Sequence, residues 1–285
     1  MDSRKNFFAY FYVAVITFSE ITAEAAQQGL IERISDNSFL IEEAYNQDPG
    51  VVQHIFNGIW TNGPQQRGWA FSFTQEWPLF SVEHQFSYTI PSSHLVDGGQ
   101  RQIGVGDILI NYRYQALEES DSHPAFAPRF SVMLPTGNRN KGTGNGVVGY
   151  QWSFPFSKKV SSLMAVHLNL GLTYIPKTQV PLDAGGLSPK RSLVPYYVGG
   201  SAILALTSRV QLMLEWLGNF DQSLNGDGKK VSAFQPTLSP GVRAAIIDEE
   251  KLQTVVGVGI PIGLNRQTTN RYGVLLYFSV EHGLF

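Results

Sequence analysis

The chain has 285 residues, a formal net charge of -2 and a mean hydropathy of -0.09. That length suits two small domains or one large all-β unit; the hydropathy excludes a bundle of membrane helices, and the charge leaves no electrostatic footprint for nucleic acid or anionic lipid. Zero cysteines remove disulfides, thiolate catalysis and cysteine metal sites together, while 28 glycines, 15 prolines and 12% aromatics favour strands, tight turns and aromatic girdles.

Residues 1–25 read as a signal peptide. Arg4 and Lys5 precede an apolar run from Phe7 to Phe18, and Ala23-Glu24-Ala25 supplies small residues at a cleavage site. The run falls short of the roughly twenty residues that a spanning helix needs, so cleavage after Ala25 is expected rather than an uncleaved anchor. Residues 26–50 mix Leu30, Ile31, Ile34, Phe39, Leu40 and Ile41 with Glu32, Arg33, Glu42 and Glu43. This segment is either a plug entering from the periplasmic side or an arm packed at the mouth. Pro49-Gly50 breaks the chain after it.

From residue 51 the side chains alternate. Phe80, Val82, His84, Phe86, Tyr88 and Ile90 share one phase; Ser81, Glu83, Gln85, Ser87 and Thr89 share the other. A strand swaps faces at every residue, so such a segment separates an apolar environment from a watery one. The pattern recurs over candidate strands at 51–60, 68–77, 80–90, 103–115, 126–134, 146–156, 161–175, 193–206, 209–219, 235–247, 252–263 and 271–284. The expected fold is all-β: a transmembrane antiparallel β-barrel of about twelve strands, outer-membrane type, spanning 51–285. A soluble sandwich or lipocalin-like barrel also alternates, but lacks a one-sided bias in loop length.

That bias is present. Pro78-Leu79, Ser157–Lys159, Thr207-Ser208 and Asp248–Glu250 read as short periplasmic turns, with Glu118–Ser122 a longer acidic one. Pro91–Gln102, Pro135–Asn145, Pro176–Arg191 and Asp221–Lys230 read as long loops on the other side. Aromatics form two belts, Trp60, Trp69, Tyr88, Tyr174 and Tyr196 near the loops and Trp77, Phe80, Tyr114, Phe126, Phe154 and Phe156 near the turns. A terminal Phe285 suits recognition by the barrel-assembly machinery, although the apolar phase of the last strand runs one residue earlier.

Phase assigns the interior charges. Glu83, Asp107, Arg113, Arg129, Glu215, Arg243 and Glu281 fall on the polar side, and His167 faces inward beside Asn169. Arginine forks onto carboxylates, so paired Arg and Glu of the wall are expected to brace a narrow lumen. Such a ring either selects solutes by size and charge or merely neutralises itself.

Three stretches, Phe39–His54, Gly106–Tyr114 and Pro128–Gly137 with its Leu-Pro-Thr-Gly strand exit, resemble the outer-membrane transporter family associated with the meta-pathway of phenol degradation. The resemblance spans roughly residues 39–285. It implies a porin-like barrel of a Gram-negative outer membrane that passes small molecules, aromatic or hydrophobic ones among them, and it carries over no site residue.

Catalysis has a weaker footing. Twelve-stranded barrels include lipid hydrolases that pair Ser with His on the membrane-facing wall, but His84 and His282 fall near the turns, and His167 has no serine partner on its own strand. No metal-ligand spacing or phosphate cradle appears, so neither cofactor nor metal is expected. The sequence thus predicts a non-enzymatic channel giving passive passage to small solutes, embedded in outer-membrane lipid. The alternatives are a lipid-modifying hydrolase and a closed structural barrel acting through its loops.

Overall fold

The computed structural model describes residues 29–34, 36–63, 66–97, 100–182, 185–265 and 272–284. The expected signal peptide and Phe285 lie outside them. Among the described residues, twelve antiparallel wall strands close into a barrel. They are β1 (Val51–Asn62), β2 (Gln66–Leu79), β3 (Ser81–Asp97), β4 (Gln100–Val105 and Ile108–Tyr114), β5 (Ala125–Phe126 and Arg129–Leu134) and β6 (Gly149–Lys159). These are followed by β7 (Met164–Thr178), β8 (Arg191–Leu193 and Tyr196–Ala205), β9 (Val210–Leu224), β10 (Lys230–Glu249), β11 (Leu252–Gly259 and Ile262–Gly263) and β12 (Tyr272–Gly283). Neighbours in sequence are neighbours in the wall, and β1 pairs with β12 from Val51↔Gly283 to Asn62↔Tyr272. Closure leaves the backbone no unpaired edge.

Three interruptions have one cause. Proline lacks the N–H a ladder needs, so β5, β8 and β11 break at Pro128, Pro195 and Pro261. The proline carbonyls still accept across each gap, from Tyr114 N (3.0 Å), Thr173 N (2.8 Å) and Gly273 N (2.9 Å).

The two faces differ as the alternation requires. On β7, His167 is 1% exposed and Asn169 3%, whereas Leu168 is 62% and Leu170 50%. Phe56, Phe71, Leu214 and Leu276 are likewise exposed on the outer face. An apolar surface of this extent facing water would drive association, so the wall is built for lipid. Aromatic contacts gather near both ends, with Tyr196–Phe220 at 4.4 Å between centroids towards the loops and Phe126–Phe156 at 4.5 Å towards the turns.

Several expectations about connections are corrected: Ser157–Lys159 belong to β6 and Asp248 and Glu249 to β10, so those turns fall at 160–163 and 250–251. Pro78 and Leu79 belong to β2, and the turn falls on Phe80, fully exposed with φ 63. Pro91–Gln102 and Asp221–Lys230 are not long loops. The ladders run on to Asp97↔Gln100 and Leu224↔Lys230. Main-chain hydrogen bonds hold these extensions, so their polar side chains give no sign of them in the sequence.

Candidate functional site

Residues 29–34 and 36–48 lie inside the barrel, bonded to inward side chains of its wall. A short 3-10 helix, Leu30–Arg33, enters at the turn end, where Ile31 N donates to Ser162 O (3.0 Å) and Gln253 Nε2 to Arg33 O (2.8 Å). The chain climbs to an apex at Phe39–Glu42. It descends past Ala44, and Val51 N closes onto Asp48 O (3.0 Å) as β1 begins.

Irregular backbone in an enclosed lumen must find partners for its amides, and the wall side chains supply them. Leu40 N and Ile41 N donate to Glu215 Oε1 (2.8 and 3.3 Å), Glu42 N to Asn169 Oδ1 (2.9 Å), and Ala44 N to Ser157 Oγ (2.7 Å). Asn46 N then donates to Gln115 Oε1 (3.2 Å) and Gln47 N to Gln85 Oε1 (2.8 Å). Apolar seats complete the fit. Phe39 stacks near Tyr277 (5.2 Å) over Gly241, Gly257 and Gly259, and Ile41 covers Gly199; a Cβ at Gly241 or Gly199 would stand within 2.8 Å of them.

The arginines turn inward onto this segment, and Arg113 also stands near a glutamate of the wall. Arg129 forks onto Glu42 (Nε 3.2 Å, Nη2 2.5 Å) and also reaches Asn111, Ser131 and Gln151. Arg113 donates to Asn46 Oδ1 (2.8 Å) and Tyr45 O (2.7 Å), with Glu76 at 3.9 Å. Arg243, 2% exposed, donates to Asp36 O (2.5 Å), Asn37 O (2.8 Å) and Gln211 Oε1 (2.8 Å), and stands 3.5 Å from Glu43. Asp36 accepts from Gln53 (2.8 Å), Tyr277 and Ser279. Of the expected pairing within the wall, Arg113–Glu76 forms, while Arg129 and Arg243 meet carboxylates of the inner segment as spokes.

The remaining candidates separate. Glu83 is exposed at the rim, where Ser81 donates to it. Asp107 is buried at the loop end, accepting from Gly137 N (3.0 Å), Asn145 N (2.7 Å) and Asn145 Nδ2 (3.0 Å), so it braces a loop. Glu281 lines a cavity at the turn end, and Glu215 caps the apex. His167 does have a serine partner, on β6: Ser157 Oγ lies 2.7 Å from Nδ1, while Nε2 lies 3.7 Å from Glu43. Sequence reasoning missed Asp36, Glu42, Glu43 and Glu76 as partners. Phase offered a signal only for Glu76, which sits opposite Phe73 and Trp77 in β2.

Two neighbouring acids on the inner segment differ in charge state. Burial alone would raise Glu42, but the Arg129 guanidinium outweighs it and holds this carboxyl below the usual range. Burial pushes Glu43 up to about 7 against the weaker pull of Arg243.

The inner segment leaves two cavities of 310 Å³ each. One opens towards the turns, among Asp36, Glu43, Arg243 and Glu281. The other lies towards β1–β6, among Asn57, Thr74, Thr89, Asn111 and Arg129. Asn37 lines both, and Glu43 N donates to its Oδ1 (3.1 Å).

The fold has solved counterparts. An outer-membrane channel from Pseudomonas putida F1 superposes with a TM-score of 0.67 at 10% identity, covering 87% of this chain and 99% of that one. The translocator domain of the autotransporter NalP from Neisseria meningitidis gives 0.52 at 10% identity, covering 94% and 97%. The NanC porin gives 0.51 at 8% identity, covering 81% and 100%. No family model matches the chain, and no curated protein matches it. At such identities the likeness is one of fold: the chain is an all-β barrel of outer-membrane type.

Proposed function

We propose that this protein is an outer-membrane channel giving passive passage to small molecules, with residues 29–48 as a plug that narrows the lumen. The observation that carries the reading is the closed wall around two cavities that share Asn37 in their linings. The signal-like N-terminus, the lipid-ready outer face and the fold support export through a cleaved signal peptide, insertion by the barrel-assembly machinery and residence in outer-membrane lipid. The resemblance of Phe39–His54, Gly106–Tyr114 and Pro128–Gly137 to the family linked with phenol degradation supports aromatic or hydrophobic solutes. Glu42, Arg113, Arg129 and Arg243 set the constriction in this reading, and no chemical step is assigned. Ser157 is buried, and its Oγ accepts from Ala44 N beside His167, so the pair serves here to seat the plug. His84 and His282 are held by Tyr112 OH (2.6 Å) and His54 (3.2 Å) rather than by serine.

The density of contacts to the plug favours one second reading, a sealed barrel acting through its loops. Planar-bilayer recordings on the refolded chain, with and without residues 29–48, decide between them. Discrete steps from the intact chain that grow on removal of the plug are expected of the channel. Silence from the intact chain would support the sealed barrel.

A further inference from the structure

The cavity beside β1–β6 has three properties that together describe an occupant. Its charges are internally cancelled, Arg129 by Glu42 (2.5 Å) and Arg113 by Glu76 (3.9 Å). An ion entering it would leave water without gaining an unpaired partner.

Its walls are also of two kinds. Phe39 and Leu40 of the inner segment, with Ile55 and Leu109, present apolar surface. Opposite them, the polar groups are mostly spent on one another: Thr74 Oγ1 on Thr89 Oγ1 (2.9 Å), Asn111 Nδ2 on Ser87 Oγ (3.1 Å), and Asn111 Oδ1 on Arg129 (3.0 Å).

One group is not spent. Asn57 Nδ2 donates to Phe39 O (3.1 Å), which fixes the amide's orientation, since the flipped amide would set two acceptors together. Its Oδ1 is then a buried acceptor with no hydrogen-bond partner among the described residues. Asn57 itself lines the cavity. A buried acceptor left open favours whatever brings it a donor, and 310 Å³ lies at the small end of ligand sites.

We infer that this cavity is a binding site for a compact, uncharged organic solute that carries an O–H or N–H donor on an apolar body. The donor meets Asn57 Oδ1 and the body lies against Phe39 and Leu109. The inference deepens the channel reading and rests on it for the solute's route in.

Three probes of one shape test it: benzyl alcohol, toluene and benzoate, titrated calorimetrically into the full chain in lipid nanodiscs, with empty nanodiscs subtracting partition into lipid. Benzyl alcohol should bind about ten-fold more tightly than toluene, which lacks the donor, and than benzoate, which carries a charge. Asn57→Leu should bring benzyl alcohol down to the toluene level. Equal affinities for the three, no binding by any, or a preference that survives Asn57→Leu would each overturn the site. The three-probe comparison on the natural chain needs no variant, so a misfolded mutant does not rescue the inference. Benzyl alcohol flux into proteoliposomes separates the two claims. Flux without selective binding sinks the site and leaves the channel, whereas selective binding without flux sinks the channel and leaves the site.

Discussion

The two sides of the lumen hold the inner segment by opposite means. Towards β8–β11 the wall withdraws around the apex, where Gly199, Gly241, Gly257 and Gly259 leave hollows that Phe39 and Ile41 fill, and only beside these hollows do Glu215 and Arg243 reach in. Towards β2–β6 the wall reaches out: Gln85, Arg113, Gln115 and Arg129 extend long side chains across a gap to the same segment. Contact by withdrawal is dry, close-packed and intolerant of added volume. Contact by reaching leaves space between the struts, and the β1–β6 cavity is that space. A lumen can therefore be packed shut on one side and remain open to a solute on the other.

Breaking a reaching contact should have the largest effect. Arg243→Ala strands Glu43 and removes the donors that hold Asp36 O and Asn37 O, at a cost of about 3–5 kcal/mol to the seated segment. Because the chain has no cysteine, a single Leu40→Cys background reports seating directly, and Arg243→Ala should raise its labelling rate by orders of magnitude. Labelling unchanged by Arg243→Ala would mean that the spokes are ornamental.

Filling a hollow comes next. Gly257→Val drives its side chain into the Phe39 ring, and overpacking of this kind costs about 1–3 kcal/mol. The same substitution at Gly58, on the outer phase of β1, should leave Leu40→Cys labelling unchanged. Equal effects at the two glycines would mean that Phe39 does not sit in the hollow at Gly257.

The finest test uses the paired acids. Glu42→Gln should loosen the segment at pH 5 and pH 8 alike, because Arg129 keeps this group ionised across that range. Glu43 differs in sign. Its carboxyl is raised from 4.5 to about 7, so its contribution to seating is full below about pH 4.5 and fades as pH rises through 7. Glu43→Gln should accordingly match the natural chain at pH 5 and label more slowly than it at pH 8. A natural chain whose labelling ignores pH would sink this reading of Glu43.

Legibility differed by kind of residue. The wall was readable because alternation is local: Leu168, Leu170 and His167 declare their faces from neighbours in sequence, and the twelve strands followed. Proline breaks at Pro128, Pro195 and Pro261 needed knowledge of which neighbour lacks a donor, and polar ladder extensions such as Ser92–Asp97 carried no side-chain signal at all. The lumen candidates were found by phase but paired wrongly. Glu215, placed inside by its phase, accepts from Leu40 N and Ile41 N, since backbone amides inside the barrel compete for the wall's acceptors.

What the sequence determined by itself was the wall: its two faces and a count of about twelve strands, because a side chain's direction on a strand depends only on its position parity. What the tertiary structure alone decided was the fate of the inner segment and hence the contacts of Arg113, Arg129 and Arg243 with it. Those contacts join residues as far apart as Ile34 and Arg243, brought together only when the barrel closes around a segment whose own pattern fits equally an arm outside or a plug within.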